Sequence, residues 1–497
     1  MKMLAISVLW FAVAPAAFAQ DGLPEGSLTG RAAVESVGDR LSHIATRHGW
    51  TAEEIAAELL RDRSLHLTPA GELFYVCRTA VDDRAGAHAR TEPLGDPGIP
   101  LDSFMSLQSR PGAPKTVYLD IDGHLSADNA WGHTIDFPAW DTDGDPALFS
   151  DDERREIIWH WLEVAEDFAV FDINVTTQDP GPEALTRVGA DDETFGMRVV
   201  LTQRTDGFGD GIGGIAWRWS FNQSIDTPCF TFNKGVPKGS VTSSHEVGHT
   251  LGLKHHGLRG LEYHPGTDGT PSWGPIMGAP FSGTLLQWSD GDYDGATREA
   301  DHIALITTEN INRVTFVPDD HPGSDVEGTP LELGVPVAGL INDRFDTDSF
   351  RFTSDGGAYR LRVKTPVRGA NLDASVRIVR ADPISVVDQL DPAGTTDVEA
   401  VIDLSPAGDY FFVVDGSFEQ QTDGARSDYG SIGTFEIFVD AAPCTADVNG
   451  DGQLSPNDFN AWILAFNSQS PACDQNNDGE CRQDDFNAWI LNFNTGC

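Results

Sequence analysis

The sequence predicts a chain of several domains: an α+β domain on a mixed, twisted sheet, then a β-sandwich, then a small α-helical module of paired acidic loops. Three observations predict this. Strand-like and helix-like patterns alternate from Lys115 to about residue 250. Between about 320 and 440 the helical period disappears and short alternating strands follow one another. The last segment holds two near copies, DVNGDGQLSPNDFNAWILAFN from Asp447 and DQNNDGECRQDDFNAWILNFN from Asp474. A chain of 497 residues is too long for one core, so separate domains are expected.

Lys and Arg number 33 against 77 Asp and Glu, a formal charge of −44. Such a surface repels polyphosphates and anionic lipid, which excludes general nucleic-acid or membrane-surface binding. An apolar fraction of 40% argues equally against an acidic disordered tail.

Residues 1–19, MKMLAISVLWFAVAPAAFA, pair an early Lys with a short apolar run and an Ala17-Phe18-Ala19 cleavage signal, so a removed secretory signal and a secreted, extracellular protein are expected. No later run is long and apolar enough for a membrane span. Residues 20–112 carry two helix-like stretches, the second opening on the capping box Thr51-Ala-Glu-Glu54, and end in a Pro- and Gly-rich linker. They read as a small separate unit of propeptide type.

Residues 113–319 read as strand VYLDID (117–122), a helix from 151 to 168 capped by Ser150 and Glu153, then strands FDINVTT, MRVVLTQ, GIAWRWSF and PCFTFN. A second helix follows Gly239, with Ser240 as the expected cap. That helix carries the chemistry. His245, Glu246, His249, Gly252 and His255 fall at the spacing H-E-x-x-H-x-x-G-x-x-H. Residues i and i+4 share a helix face, so His245 and His249 can aim at one zinc ion while Glu246 reaches its open side. Gly252 permits a tight bend that returns His255 as third ligand. Three neutral nitrogens leave a fourth place to water, as catalytic sites do.

Downstream, Trp273-Gly-Pro-Ile-Met-Gly278 sets Met277 in a turn. Together with the three-histidine motif this resembles the bacterial metzincin metalloproteases, over about residues 115–318. The resemblance implies a zinc endopeptidase with Glu246 as general base, Met277 as an apolar floor under the metal, and an extended substrate beside GIAWRWSF. His256 does not assign a branch, and Phe281 stands where some branches carry a zinc-binding Tyr that a phenyl ring cannot replace. Cys77 is the single Cys ahead of the catalytic region. Three fates stay open for it: a thiol switch on the metal, a disulfide to Cys229, or an unpaired buried thiol.

Residues 320–441 offer strands SFRFTS, YRLRVKT, SVRIVR, DYFFVVDG and TFEIFVD. Through DTDSFRF, LDASVRIV and AGDYFFVVDG this part resembles the bacterial pre-peptidase C-terminal domain, implying an accessory role. In residues 442–497, Asp447, Asn449, Asp451, Gln453 and Asp458, with Gly452 at the sharp turn, occupy positions 1, 3, 5, 7 and 12 of a calcium loop. Asp474, Asn476, Asp478, Glu480 and Asp485, with Gly479, repeat the pattern. The pair resembles a type I dockerin, with Asp where an EF-hand has Glu, and implies calcium and a cohesin-like scaffold partner. Phe459, Trp462, Ile463 and Phe466, like Phe486, Trp489, Ile490 and Phe493, are spaced as a helical core stripe or a docking face. Cys444, Cys473, Cys481 and Cys497 are expected to staple this module in one of three pairings. The acidic clusters Asp141–Asp145 and Ser289–Asp294 read as solvated turns. A secreted zinc endopeptidase is the leading expectation, and a non-catalytic binding or adhesion protein retaining the metal site is the alternative.

Overall fold

The computed structural model describes residues 23–79, 94–132, 134–203, 208, 211–418, 427–442, 444–451, 453–476 and 478–495. The signal segment 1–19, Gly452 and Cys497 lie outside them. Among the described residues no helix is long and apolar enough to cross a membrane.

One eight-stranded mixed sheet organises the first three hundred residues. Its order is Leu28–Thr29, Leu65–Leu67, Leu73–Cys77, Gly214–Trp217, Cys229–Thr231, Phe195–Leu201, Lys115–Asp120, Ile173–Thr176. The last three strands are parallel neighbours and buried at every position except Arg198, as strands covered on both faces must be. The sheet also crosses the boundary drawn at residue 112. Leu73–Cys77 pairs antiparallel with Gly214–Trp217, placing Tyr75 opposite Ala216 and Cys77 opposite Gly214. The N-terminal region therefore shares backbone hydrogen bonds with residues 113–319, and its apolar residues Leu59, Leu65, Tyr75 and Cys77 form a cluster of their own on that end.

Helix Asp151–Asp167 begins at the expected capping box, with Ser150 accepting from the Glu153 N–H and Glu153 accepting from the Ser150 N–H. The Thr51 and Glu54 box likewise opens helix Ala52–Arg61, although three short helices stand in this region where two were expected. Helix Lys238–Thr250 differs from expectation at its start. Gly239 and Ser240 lie inside it, and the Ser240 hydroxyl donates to Glu163 and to the Pro237 carbonyl instead of capping. A buried hydroxyl finds more in a neighbouring buried carboxylate than in a cap already lying within a turn.

Residues 329–441 form two facing sheets, ordered Thr329–Pro330, Asp348–Ser354, Gly408–Gly416, Ala374–Ala381, Ile384–Leu390 and Val337–Ile341, Gly433–Ala441, Ala358–Lys364, Val398–Asp403. This is a β-sandwich. Its core, including Phe350, Leu361, Val376 and Phe412, is continuous with the core of the first region. Glu166 and Asp167 are buried in the seam. Glu166 accepts from the Thr434 N–H (3.0 Å) and hydroxyl (2.6 Å), and Asp167 from the Ser244 hydroxyl (2.5 Å) and the Asn371 amide (3.0 Å).

Burial raises Glu166 from 4.5 to about 7 and Asp167 from 3.8 to about 8, with those hydrogen bonds opposing. Both folded values lie above the unfolded ones, so the stabilisation is complete below pH 4 and is lost as pH rises to 7 and 8. Opening at the Thr434 amide, read by hydrogen exchange corrected for intrinsic rate, is expected to become about tenfold easier per pH unit between pH 5 and 7. Glu166→Gln should flatten most of that slope.

In the tail, helices Pro456–Ser468 and Gln483–Thr495 pack through Phe459, Trp462, Phe486 and Trp489, so the ring stripe is largely core. Ile463 and Ile490 stand at its edge, 37% and 38% exposed. Cys473 pairs with Cys481, and Cys444 is disulfide-bonded as well.

Candidate metal centre

Helix Lys238–Thr250 is buried along its length, which its sequence permits by using small residues. A Cβ at Gly239 would stand 3.0 Å from the Asn233 carbonyl, and one at Gly248 only 2.5 Å from the Met277 sulfur. Its hydroxyls are satisfied internally: Ser243 bonds His160 (2.9 Å) and Thr231 (3.0 Å), and Ser244 bonds Asp167. His245 and His249 leave one face of this helix together. Gly252 ends it at φ +96°, a conformation that disfavours any side chain, with the Trp219 ring 2.3 Å from where a Cβ would sit. The bend returns His255 beside the other two. Gly252→Ala is expected to cost at least ~2 kcal/mol and to displace His255, measurable as a lower melting temperature together with a lower metal content.

The three imidazoles converge. His249 Nε2 lies 3.1 Å from His245 Nε2 and 3.0 Å from His255 Nε2. Every outer nitrogen has an acceptor: His245 Nδ1 reaches the Ile276 carbonyl (3.0 Å), His249 Nδ1 the Leu253 carbonyl (3.0 Å), and His255 Nδ1 the Asp62 carboxylate (2.9 Å). An Nδ1–H donating outward leaves each Nε2 as a lone pair aimed inward. Burial also holds His245 and His255 down at about 3 and His249 well below its ordinary value, so all three stay neutral. Three lone pairs facing one another at such distances repel unless a cation lies between them.

Cys77 completes the set. Its sulfur is 3.6, 3.3 and 3.5 Å from Nε2 of His245, His249 and His255, and all four residues are buried. Ligands of a tetrahedral zinc at roughly 2.0–2.1 Å (nitrogen) and 2.3 Å (sulfur) stand about 3.3 Å (N to N) and about 3.6 Å (N to S) apart. The four atoms fit that cage. Expectation left the fourth place to water; in the intact chain the Cys77 thiol stands there instead. It forms no disulfide with Cys229, since both are free and buried.

Glu246 stands beside this cluster, fully buried, with neither carboxylate oxygen in a hydrogen bond of ordinary length. Burial pushes it far above the usual carboxylate range, opposed by the nearby Cys77 thiol. Its carboxylate lies over Gly214, where a Cβ would meet it at 2.2 Å. Met277 is buried against Gly248, and the Ile276 and Met277 carbonyls accept from His245 Nδ1 and the His256 N–H. Phe281 packs against the main core.

Several participants carried no sequence signal. Tyr75 stacks on the His249 ring with centroids 3.8 Å apart, and Asp62 holds His255 from the same N-terminal region. Arg298 ties that region down by donating to Glu58 and to the His255 carbonyl. Glu262 lies 3.6 Å from His255 Nδ1, and the Tyr263 ring covers His255.

The calcium-loop residues keep the turn expected of them. Asp447 accepts from the Gly450 and Asp451 N–H groups, Asn449 from Asp451, and Asp451 from Gln453. Asp474, Asn476 and Asp478 repeat this toward Asp478, Gly479 and Glu480. Asp458 and Asp485 accept from the backbones of Asn449 and of Gln475 and Asn476 respectively. Among the described residues neither loop draws three acidic side chains within 4.8 Å of one another, whereas Asp141, Asp143 and Glu153 do so, as do Asp319, Asp346 and Asp348. The Asp141 cluster is nonetheless a turn closed on itself, with Asp141 accepting from the Asp143 and Gly144 N–H groups.

No family model matches the chain. No curated protein matches it. Among solved structures it is similar to the pre-peptidase C-terminal domain of a collagenase from Bacillus anthracis, at 14% identity over 24% of this chain and 99% of that one, with a TM-score of 0.18. It is also similar to PliG, a periplasmic inhibitor of g-type lysozyme, from Salmonella Typhimurium (12% identity, 23% and 97% covered, TM-score 0.15) and from Aeromonas hydrophila (10% identity, 23% and 97% covered, TM-score 0.16).

Proposed function

We propose that this chain is the latent form of a secreted zinc endopeptidase. The observation that carries the reading is the convergence of three neutral, outward-anchored imidazoles on one point beside a fully buried carboxylate. Residues His245, His249 and His255 would hold the ion, and Cys77 would be its fourth ligand in the intact chain. When bound, zinc supplies Lewis acidity and a water of lowered pKa. Glu246 would take the proton of the attacking water and deliver it to the leaving nitrogen. The backbone of Gly214–Trp217 offers a strand edge to an extended peptide once Leu73–Cys77 has left it, since the same hydrogen bonds then become free.

Latency follows from the same geometry. One N-terminal strand fills the substrate's place on the sheet while its last residue fills the solvent's place at the metal. Digestion of casein by the processed protein, abolished by a chelator and restored by zinc, supports the assignment; digestion indifferent to chelation would remove it.

A second reading is favoured by one feature, the complete four-residue enclosure of the site, which suits a structural metal in a non-catalytic binding protein. Against it stands Glu246, a costly buried carboxylate that a purely structural cage does not need. The tail is read as a calcium-dependent docking module for a cohesin-like scaffold partner, and the sandwich as an accessory domain.

A further inference from the structure

Tyr263 lies on neither the motif helix nor the Met277 turn, yet its ring centroid is 4.4 Å from that of His255 and 6.1 Å from that of His245. Its hydroxyl is buried, and the partner it has is the Ser64 hydroxyl of the N-terminal region. The polar groups acting on it are Cys77, Glu262, Asp62 and Ser64, and three of these four belong to the N-terminal region. A phenol at neutral pH carries a proton that it can donate.

We propose that Tyr263 is a catalytic residue of the opened site, its hydroxyl donating a hydrogen bond to the scissile carbonyl oxygen as negative charge develops there. The inference rests on the peptidase reading above. Removal of the N-terminal strand takes Cys77, Asp62 and Ser64 away together and leaves the phenol facing the place the thiol held. The proton stays on Tyr263 throughout; the proton of the attacking water passes through Glu246. A donor placed beforehand where charge appears stabilises the transition state more than the ground state.

The test uses the full-length chain folded and then trimmed of its N-terminal region, loaded with cobalt or zinc, with and without Tyr263→Phe. The two forms should hold equal metal and melt alike. Acetohydroxamate, followed through the visible bands of the cobalt form, should bind about tenfold more weakly to Tyr263→Phe. With zinc, kcat on a peptide should fall about 100-fold while KM changes less than threefold. Tyr263→His, which restores a ring donor, should recover part of both losses. Equal hydroxamate affinity, a loss confined to KM, or a loss of metal or folding in Tyr263→Phe would overturn the assignment while leaving the peptidase reading intact. A trimmed parent that cleaves no peptide would instead sink that reading, and the catalytic role with it.

Discussion

Glu246→Gln is expected to lower peptide cleavage by about 10³-fold or more while the chain keeps its full metal content. The side chain contributes nothing to the three-imidazole cluster, so the metal should not notice the change. It does contribute a fully buried carboxylate beside that cluster whose one neighbouring polar group is the Cys77 thiol. Amide replaces carboxylate at nearly equal volume, so packing against Gly214 is preserved and the lost rate can be assigned to the proton acceptor. Metal analysis and peptide kinetics on the same sample check both halves. Retained turnover would reassign the base, and lost metal would make Glu246 structural.

Cys77→Ser in the unprocessed chain is expected to raise activity from near zero to a measurable level, at least about tenfold over the parent under the same conditions. A thiolate binds zinc far better than a neutral hydroxyl, so the variant loses the sulfur anchor while the strand Leu73–Cys77 keeps its sheet hydrogen bonds. The gain should therefore stop short of the fully processed enzyme, because the strand still covers the edge of Gly214–Trp217. Trimming of the N-terminal region should release the remainder. An unprocessed variant as silent as the parent would show that the strand and the Asp62 and Tyr75 contacts suffice for latency without the thiol.

The motif spacing made the metal centre legible because its geometry is local: a helix face, a glycine bend and a following turn are all specified within about forty residues. His245, His249, Gly252 and His255 needed no long-range information. Cys77 was legible only as a cysteine with three possible fates, since nothing near LFYVCRT says which strand it will pair with. The pairing of Cys77 with Gly214 decides the matter, and it depends on a sheet register across more than a hundred residues. Tyr75, Asp62 and Tyr263 were illegible for the same reason: each acts through a contact between distant segments. Ser240 shows the opposite failure, a cap signal overruled by the buried Glu163 carboxylate. The sandwich was readable from strand alternation, although the strands Ile384–Leu390 and Val398–Asp403, with largely exposed faces, gave a weaker pattern.

The measurement that reaches the central claim most directly is X-ray absorption at the zinc edge on the intact chain and on the chain freed of its N-terminal region. The account predicts one zinc per chain, with three nitrogen ligands at about 2.0–2.1 Å and one sulfur at about 2.3 Å before processing, and the sulfur replaced by oxygen afterwards. A chain that binds no zinc, or a zinc whose sulfur ligand survives removal of Cys77, would contradict it.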